Sequence, residues 1–198
     1  MTTTVVITGG IGSGKSTFSN QIKKRGFRLL DSDREVSNIY KKPKKNFTNY
    51  LEKIGLGECI QKNKINKKKI QEIIFTDNNK KSNLEKYIFN IIRKRRKNYL
   101  QKEINKKNKI IFFDIPLLFE NNLEKDFDIV VSIISKKKER YKRLINKKKL
   151  SKETIDKIMK TQTTDVERKN KSDIIIENNK SLKMYLKKID ITINKLIK

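Results

Sequence analysis

The chain has 198 residues, with 50 Lys and Arg against 22 Asp and Glu and a formal net charge of +28. That length suits one main domain carrying an insert or a lid. No apolar run is long enough to span a bilayer, the opening MTTTVV lacks the charged region of a secretory signal, and the single cysteine, Cys59, excludes an internal disulfide and a cysteine-based zinc site; a soluble, cytoplasmic protein is expected.

Val5-Val6-Ile7 is a β-branched run and reads as a buried strand. The stretch from Gly9 to Ser16, GGIGSGKS, fits G-x-x-x-x-G-K-[ST], the Walker A phosphate loop. In such a loop successive backbone N–H groups cradle a polyphosphate, and the following helix N-terminus adds partial positive charge. Lys15 would reach the β and γ phosphates, and the Ser16 hydroxyl would ligate Mg²⁺. Lys15 also begins a helix with Phe18 and Ile22 on one face and Gly26 as its stop. Strand, loop and helix fall where nucleotide binding needs them, although the loop does not name the acceptor.

Phe27 to Leu30 reads as a short second strand ending in Asp31-Ser32-Asp33. Ligands of open α/β sheets bind at the carboxyl ends of strands. Asp31 suits a helix cap, which leaves Asp33 as the functional candidate. From about Arg34 to Lys107 the chain reads as helical and polar, interrupted at 40–45 and 55–57. Ile70, Ile73 and Ile74, then Leu84, Tyr87, Ile88, Ile91 and Ile92, keep helical spacing and are expected in a core. Arg93 to Lys97 reads as a solvated face. The length of this block suggests an acceptor-binding insertion.

Lys109 to Asp114 is a third strand ending in an acid. Beside a phosphate loop, Asp114 suits a Walker B-like acid that holds Mg²⁺, or equally a cap of the next turn. Asp128 to Ile134 is a fourth strand. Lys136 to Lys149 is a basic helix with Arg140 and Arg143, and Ser151 caps a further helix expected to run to about Lys169 with Gln162 and Arg168. This pair reads either as a lid whose arginines close over phosphates or as a charged surface hairpin. Asp173 to Glu177 is a last strand. A terminal helix over Leu182 to Ile197 is expected to turn Leu182, Tyr185, Leu186 and Ile189 inward. No internal repeat is visible, and the alternation of strands and helices predicts a parallel α/β sheet.

Along nearly its whole length the chain resembles the dephospho-CoA kinase family. The matching stretches are TGGIGSGKST (Thr8 to Thr17), DSD (Asp31 to Asp33), DIPLLFE (Asp114 to Glu120), Arg143-Leu144, Leu150-Ser151, Gln162 with Arg168, and SDIIIENN (Ser172 to Asn179). The resemblance implies an adenylate-kinase-like P-loop NTPase fold of class α/β, a parallel sheet flanked by helices. Its core would span about 1–33, 108–135 and 170–198, its helical CoA-binding part about 34–107, and its lid about 136–169. It implies transfer of the ATP γ-phosphoryl group to the ribose 3′-hydroxyl of dephospho-CoA, giving CoA and ADP, the last step of CoA biosynthesis.

The same resemblance assigns roles. Gly12, Ser13, Gly14, Lys15, Ser16 and Thr17 would bind ATP. On the motif reading above, rather than the resemblance, Ser16 and, unless it caps the next turn, Asp114 would hold Mg²⁺. Asp33 would accept the proton of the 3′-hydroxyl or orient that oxygen. Arg143 and Arg168 would neutralise phosphate charge through planar, bidentate contacts, with Arg143 joining Lys15 and Asp33 in catalysis. The chain departs from the family pattern at Ser37, Phe89-Asn90, Lys147 and Lys180, all on the substrate side, in the lid or near the adenine.

The charge invites another reading, a basic P-loop protein that binds nucleic acid. Lys, Asn and Ile abound while Ala, His and Trp are absent, which is the signature of AT-rich codons. The lysines are scattered, so no specific nucleic-acid partner is expected. A nucleoside or nucleotide kinase with a different acceptor is the other alternative, against which DIPLLFE argues. The oligomeric state is not legible.

Overall fold

A computed structural model describes residues 1–62 and 64–197, except for the side chains of Lys147 and Lys148. The departure noted at Lys147 therefore lies outside the described residues. β1 (Thr3–Thr8) leads through the glycine loop into α1 (Lys15–Lys24), and β2 (Leu29–Asp31) follows. Next come α2 (Ser32–Lys41) and α3 (Lys45–Lys53), then a one-turn 3₁₀ helix at Gly57–Cys59. A small antiparallel ribbon pairs β3 (Ile60–Gln61) with β4 (Lys64–Ile65). α4 (Lys67–Thr76) and the long α5 (Asn78–Asn105) complete the helical stretch. The chain then returns through β5 (Ile110–Asp114), β6 (Ile129–Ile134), α6 (Lys137–Lys148), α7 (Lys152–Lys160), α8 (Asp165–Asn170), β7 (Ile174–Glu177) and α9 (Leu182–Leu196). No described helix is long and apolar enough to cross a membrane.

The chain divides into two compact units, one made of Met1–Leu30 with Lys102–Lys198 and the other of Asp31–Gln101. The first contains the stretch expected as a lid. Its sheet has the order β2-β5-β1-β6-β7, with β1 parallel to both β5 and β6 and β6 parallel to β7. Val5, Val6 and Ile7 on the central strand are all buried, as a sheet covered on both faces requires. Phe18 and Ile22 of α1 pack in one core with Phe112, Val131, Ile133 and Ile176 of the sheet and Tyr185, Ile189 and Ile193 of α9. Each such buried aliphatic side chain contributes roughly 1.5–3 kcal/mol.

The helix stop at Gly26 follows a known hydrogen-bond pattern. Gly26 has φ +79, its N–H donates to Lys23 O at 3.0 Å, and the Phe27 N–H donates to Ile22 O at 3.2 Å. Phe27 is thereby taken up in closing α1 and packing edge-on against Phe112, with ring centroids 5.7 Å apart, so β2 starts only at Leu29.

The second unit has its own core of Ile39, Phe47, Leu51, Leu56, Cys59, Ile70 and Leu84. Tyr87, Ile88, Ile91 and Ile92 of α5 and Ile73 and Ile74 of α4 pack against it, as their helical spacing predicts. Cys59 is one of the most buried residues of this core.

Three expectations are corrected and one further element appears. The stretch from Ser151 to Lys169 is two helices, because Thr164 starts a new one: its hydroxyl accepts from the Glu167 N–H while the Glu167 carboxylate accepts from the Thr164 N–H at 3.0 Å. Leu182 does not face inward but is 63% exposed at the first turn of α9. Arg93 to Lys97 is not uniformly solvated, since Arg96 is 9% exposed and Arg95 pairs with Glu35 at 2.8 Å. The β3–β4 ribbon was not anticipated; two-residue strands are too short to show a period.

Candidate active site

Parallel pairing of β1 with β5 sets Ile7 opposite Asp114. The chain leaves β1 into the glycine loop one residue later, so the register alone brings the β5 acid to the start of that loop. Asp114 is 3% exposed and is held from α1 on both oxygens. Lys15 Nζ forms an ion pair with Oδ1, and Ser19 Oγ donates to Oδ2 at 2.6 Å. No cap bond from Asp114 to the following turn accompanies these contacts among the described residues. Ser16 is exposed in the first turn of α1.

α1 begins at a glycine in the left-handed region, Gly14 at φ +106, with no side chain capping the helix N-terminus. The first N–H groups of such a helix lack intrahelical acceptors, and an anion can satisfy them. Ser13 Oγ is buried without a hydrogen-bond partner among the described residues, a further polar group inside the loop. The residues fit a polyphosphate.

Side chains from α6 and from the turn between α7 and α8 hold the loop. Arg143 Nη1 donates to Gly12 O at 3.1 Å and to Ser135 Oγ at 3.1 Å, and Nη2 donates to Asn178 O at 2.8 Å. Arg140 Nε donates to Ile11 O at 2.8 Å, while the Ile11 N–H donates to Gln162 Oε1 at 2.9 Å. Burial draws the Arg140 guanidinium below its ordinary range, and Asp165 at 3.7 Å works against that shift. Gly10 lies against this guanidinium, and a Cβ there would sit 2.5 Å from Arg140 Nη2. Tyr141 donates to Asp156 and so ties α6 to α7.

Arg168 is held by the protein's own acids and backbone. It is 1% exposed, donates to the Thr163 carbonyl, and pairs with Asp165 at 3.1 Å and Glu120 at 3.5 Å. Glu120 also accepts the Thr163 N–H at 2.7 Å. The last acid of DIPLLFE thus clamps the turn between α7 and α8. Asp33 lies in the first turn of α2 and Asp31 is that helix's cap, accepting from the Arg34 N–H at 3.0 Å.

The structure places Asp114, read from the sequence as an acid beside the phosphate loop or as a turn cap, in an ion pair with Lys15. Sequence reasoning did not assign site roles to Ser19, Asn178 or Tyr185, and it named Arg140 only as one of the arginines of the expected lid. Only the SDIIIENN stretch offered a signal for Asn178, and Tyr185 was read as core alone.

A glycine loop between a central parallel strand and a helix, with a buried acid on the neighbouring strand, defines a P-loop nucleotide-binding fold. Shikimate kinase from Acinetobacter baumannii shares this fold, with a TM-score of 0.54 at 15% identity over 100% of this chain and 97% of that one. The sequence model of the dephospho-CoA kinase family matches residues 3–184, and the chain belongs to that family. The dephospho-CoA kinase of Fusobacterium nucleatum subsp. nucleatum is 36% identical over 186 residues, 93% of each chain. The solved dephospho-CoA kinase from Campylobacter jejuni superposes with a TM-score of 0.75 at 26% identity, over 99% of this chain and 98% of that one.

Proposed function

We propose that this chain transfers the γ-phosphoryl group of ATP to the 3′-hydroxyl of the ribose of dephospho-CoA, forming CoA and ADP in the last step of CoA biosynthesis. The observation that carries the proposal is the phosphate loop with its Lys15–Asp114 pair, set in a chain that matches the family over residues 3–184. The cytoplasm is the proposed setting.

In this reading the N–H groups of the Gly12–Thr17 stretch receive the phosphates, and Lys15 exchanges part of its hold on Asp114 for the β and γ oxygens. Asp33 receives the proton of the 3′-hydroxyl, whose oxygen forms the new bond to phosphorus as the bridging bond to the β-phosphate breaks. Ser16 and Asp114 offer a hydroxyl and a carboxylate, hard oxygen donors that fit Mg²⁺. When bound, that ion neutralises charge on the phosphate oxygens. Arg143 acts through the loop carbonyls it holds, and Arg168 through Glu120 and the α7–α8 turn.

The test is direct. Purified protein is mixed with Mg·ATP and dephospho-CoA and CoA is followed by mass, with adenosine and AMP as control acceptors. CoA formed from dephospho-CoA, with neither control phosphorylated, is the expected result. ATP binding without CoA formation would overturn the proposal.

A further inference from the structure

Each backbone carbonyl from Ile11 to Gly14 accepts a hydrogen bond from a side chain distant in sequence. Arg140 Nε reaches Ile11 O at 2.8 Å, and Arg143 Nη1 reaches Gly12 O at 3.1 Å. Asn178 Nδ2 reaches Ser13 O at 2.7 Å, and the Tyr185 hydroxyl reaches Gly14 O at 3.0 Å. The first two donors come from α6, and the last two from the end of β7 and from α9. In a planar trans peptide the C=O and the next N–H point in opposite directions. Holding these carbonyls outward therefore turns the N–H groups of Gly12, Gly14 and Lys15 toward the other side of the loop.

The two donors from the C-terminal part are firmly set. Asn178 is 6% exposed; its N–H donates to Ile134 O at 2.9 Å, and its carbonyl accepts from Ser135 Oγ at 2.7 Å and from Arg143 Nη2 at 2.8 Å. Tyr185 is 2% exposed, and burial pushes its phenol above the ordinary range, so it stays a proton donor at working pH. Both press on Gly14: a Cβ there would collide with the Asn178 amide and lie 3.2 Å from a Tyr185 ring carbon. The glycine at this position is required by these two neighbours as well as by its φ.

We infer that Asn178 and Tyr185 are positioning residues for phosphoryl transfer, holding the Ser13 and Gly14 carbonyls so that the Gly14 and Lys15 amides face the phosphates. This rests on the nucleotide-binding role proposed for the loop. Neither side chain needs to touch the nucleotide. The energetic reason is preorganisation: a loop already turned for its anion loses less freedom on binding.

The test uses Tyr185→Phe, which keeps the ring in the core and removes one donor, and Asn178→Asp, which sets a carboxylate oxygen against the Ser13 carbonyl. ADP affinity is measured by calorimetry with Mg²⁺, together with the melting temperature without nucleotide and the kinetics for both substrates. Tyr185→Phe is expected to weaken ADP and raise KM for ATP by roughly five- to tenfold, with KM for dephospho-CoA nearly unchanged and the unliganded melting temperature lowered by only about 2–4 °C, the cost of one hydrogen bond. Asn178→Asp is expected to weaken ADP further. ADP affinity within about twofold of the parent in both variants would overturn the inference. An equal rise in KM for both substrates would also overturn it, because it marks general loosening. ADP binding is read without acceptor, so a parent protein that binds ADP but forms no CoA would overturn the proposed reaction and leave this test intact.

Discussion

Ser19 Oγ donates to Asp114 Oδ2 at 2.6 Å, and Lys15, one turn earlier on the same helix, holds the other oxygen of that carboxylate. Residues four apart on a helix lie on one face, so α1 presents a cation and a hydroxyl together to the end of β5. Both oxygens of this buried carboxylate are thereby satisfied.

Lys15→Ala removes both the phosphate-binding cation and the partner of Asp114. Turnover is expected to fall by roughly 10²–10³-fold or more, the scale of losing a preorganised charge at a transition state. Ser19→Ala removes only the second support and is expected to cost about tenfold or less. Steady-state rates for CoA formation check both; equal losses in the two variants would contradict the division of labour between Lys15 and Ser19.

Asp33→Asn keeps the shape of the side chain and removes its basicity. A fall in kcat of roughly 10²-fold or more is expected, with KM values little changed, in line with lost general-base catalysis. Near-normal turnover would remove Asp33 from the proton-accepting role.

Arg168 joins Glu120, Asp165 and the Thr163 carbonyl while fully buried. Arg168→Met leaves the Glu120 carboxylate without its cation and is expected to destabilise the protein by about 3 kcal/mol or more. Adding Glu120→Gln should recover part of that loss, because the neutral amide no longer needs the charge. Denaturant unfolding of the single and double variants measures the recovery; none at all would mean that the two residues are not coupled.

Asp128 Oδ2 accepts from the Thr4 N–H at 2.7 Å and from the Thr4 hydroxyl at 2.7 Å. The backbone bond first, and then the hydroxyl bond, holds its carboxyl below the ordinary value. A depressed acid contributes stability that is complete above its unfolded pKa, near 3.9, and is lost as pH falls through the lower folded value. Asp128→Asn is therefore expected to melt earlier than the parent at neutral pH, with the gap closing below about pH 4. A gap that does not change between pH 7 and pH 3 would show that the carboxylate's charge contributes nothing.

Sequence alone determined the phosphate loop, the central strands, the core faces of α4 and α5, and the family. These signals are local or periodic: the spacing in GGIGSGKS, the β-branched run Val5 to Ile7, and the apolar steps from Leu84 to Ile92. The break before Thr164 was also written locally, as Thr-x-x-Glu, and could have been read as a helix start. The arrangement of donors around the loop was not legible. Tyr185 and Asn178 lie 171 and 165 positions from the carbonyls they hold, and nothing local in the sequence pairs Arg168 with Glu120. Hydrogen bonds of that kind depend on strand order and helix docking, which bring distant residues within 3 Å of one another. Only the tertiary structure decided that Arg140 and Arg143 hold the loop carbonyls while Arg168 is buried against Glu120 and Asp165.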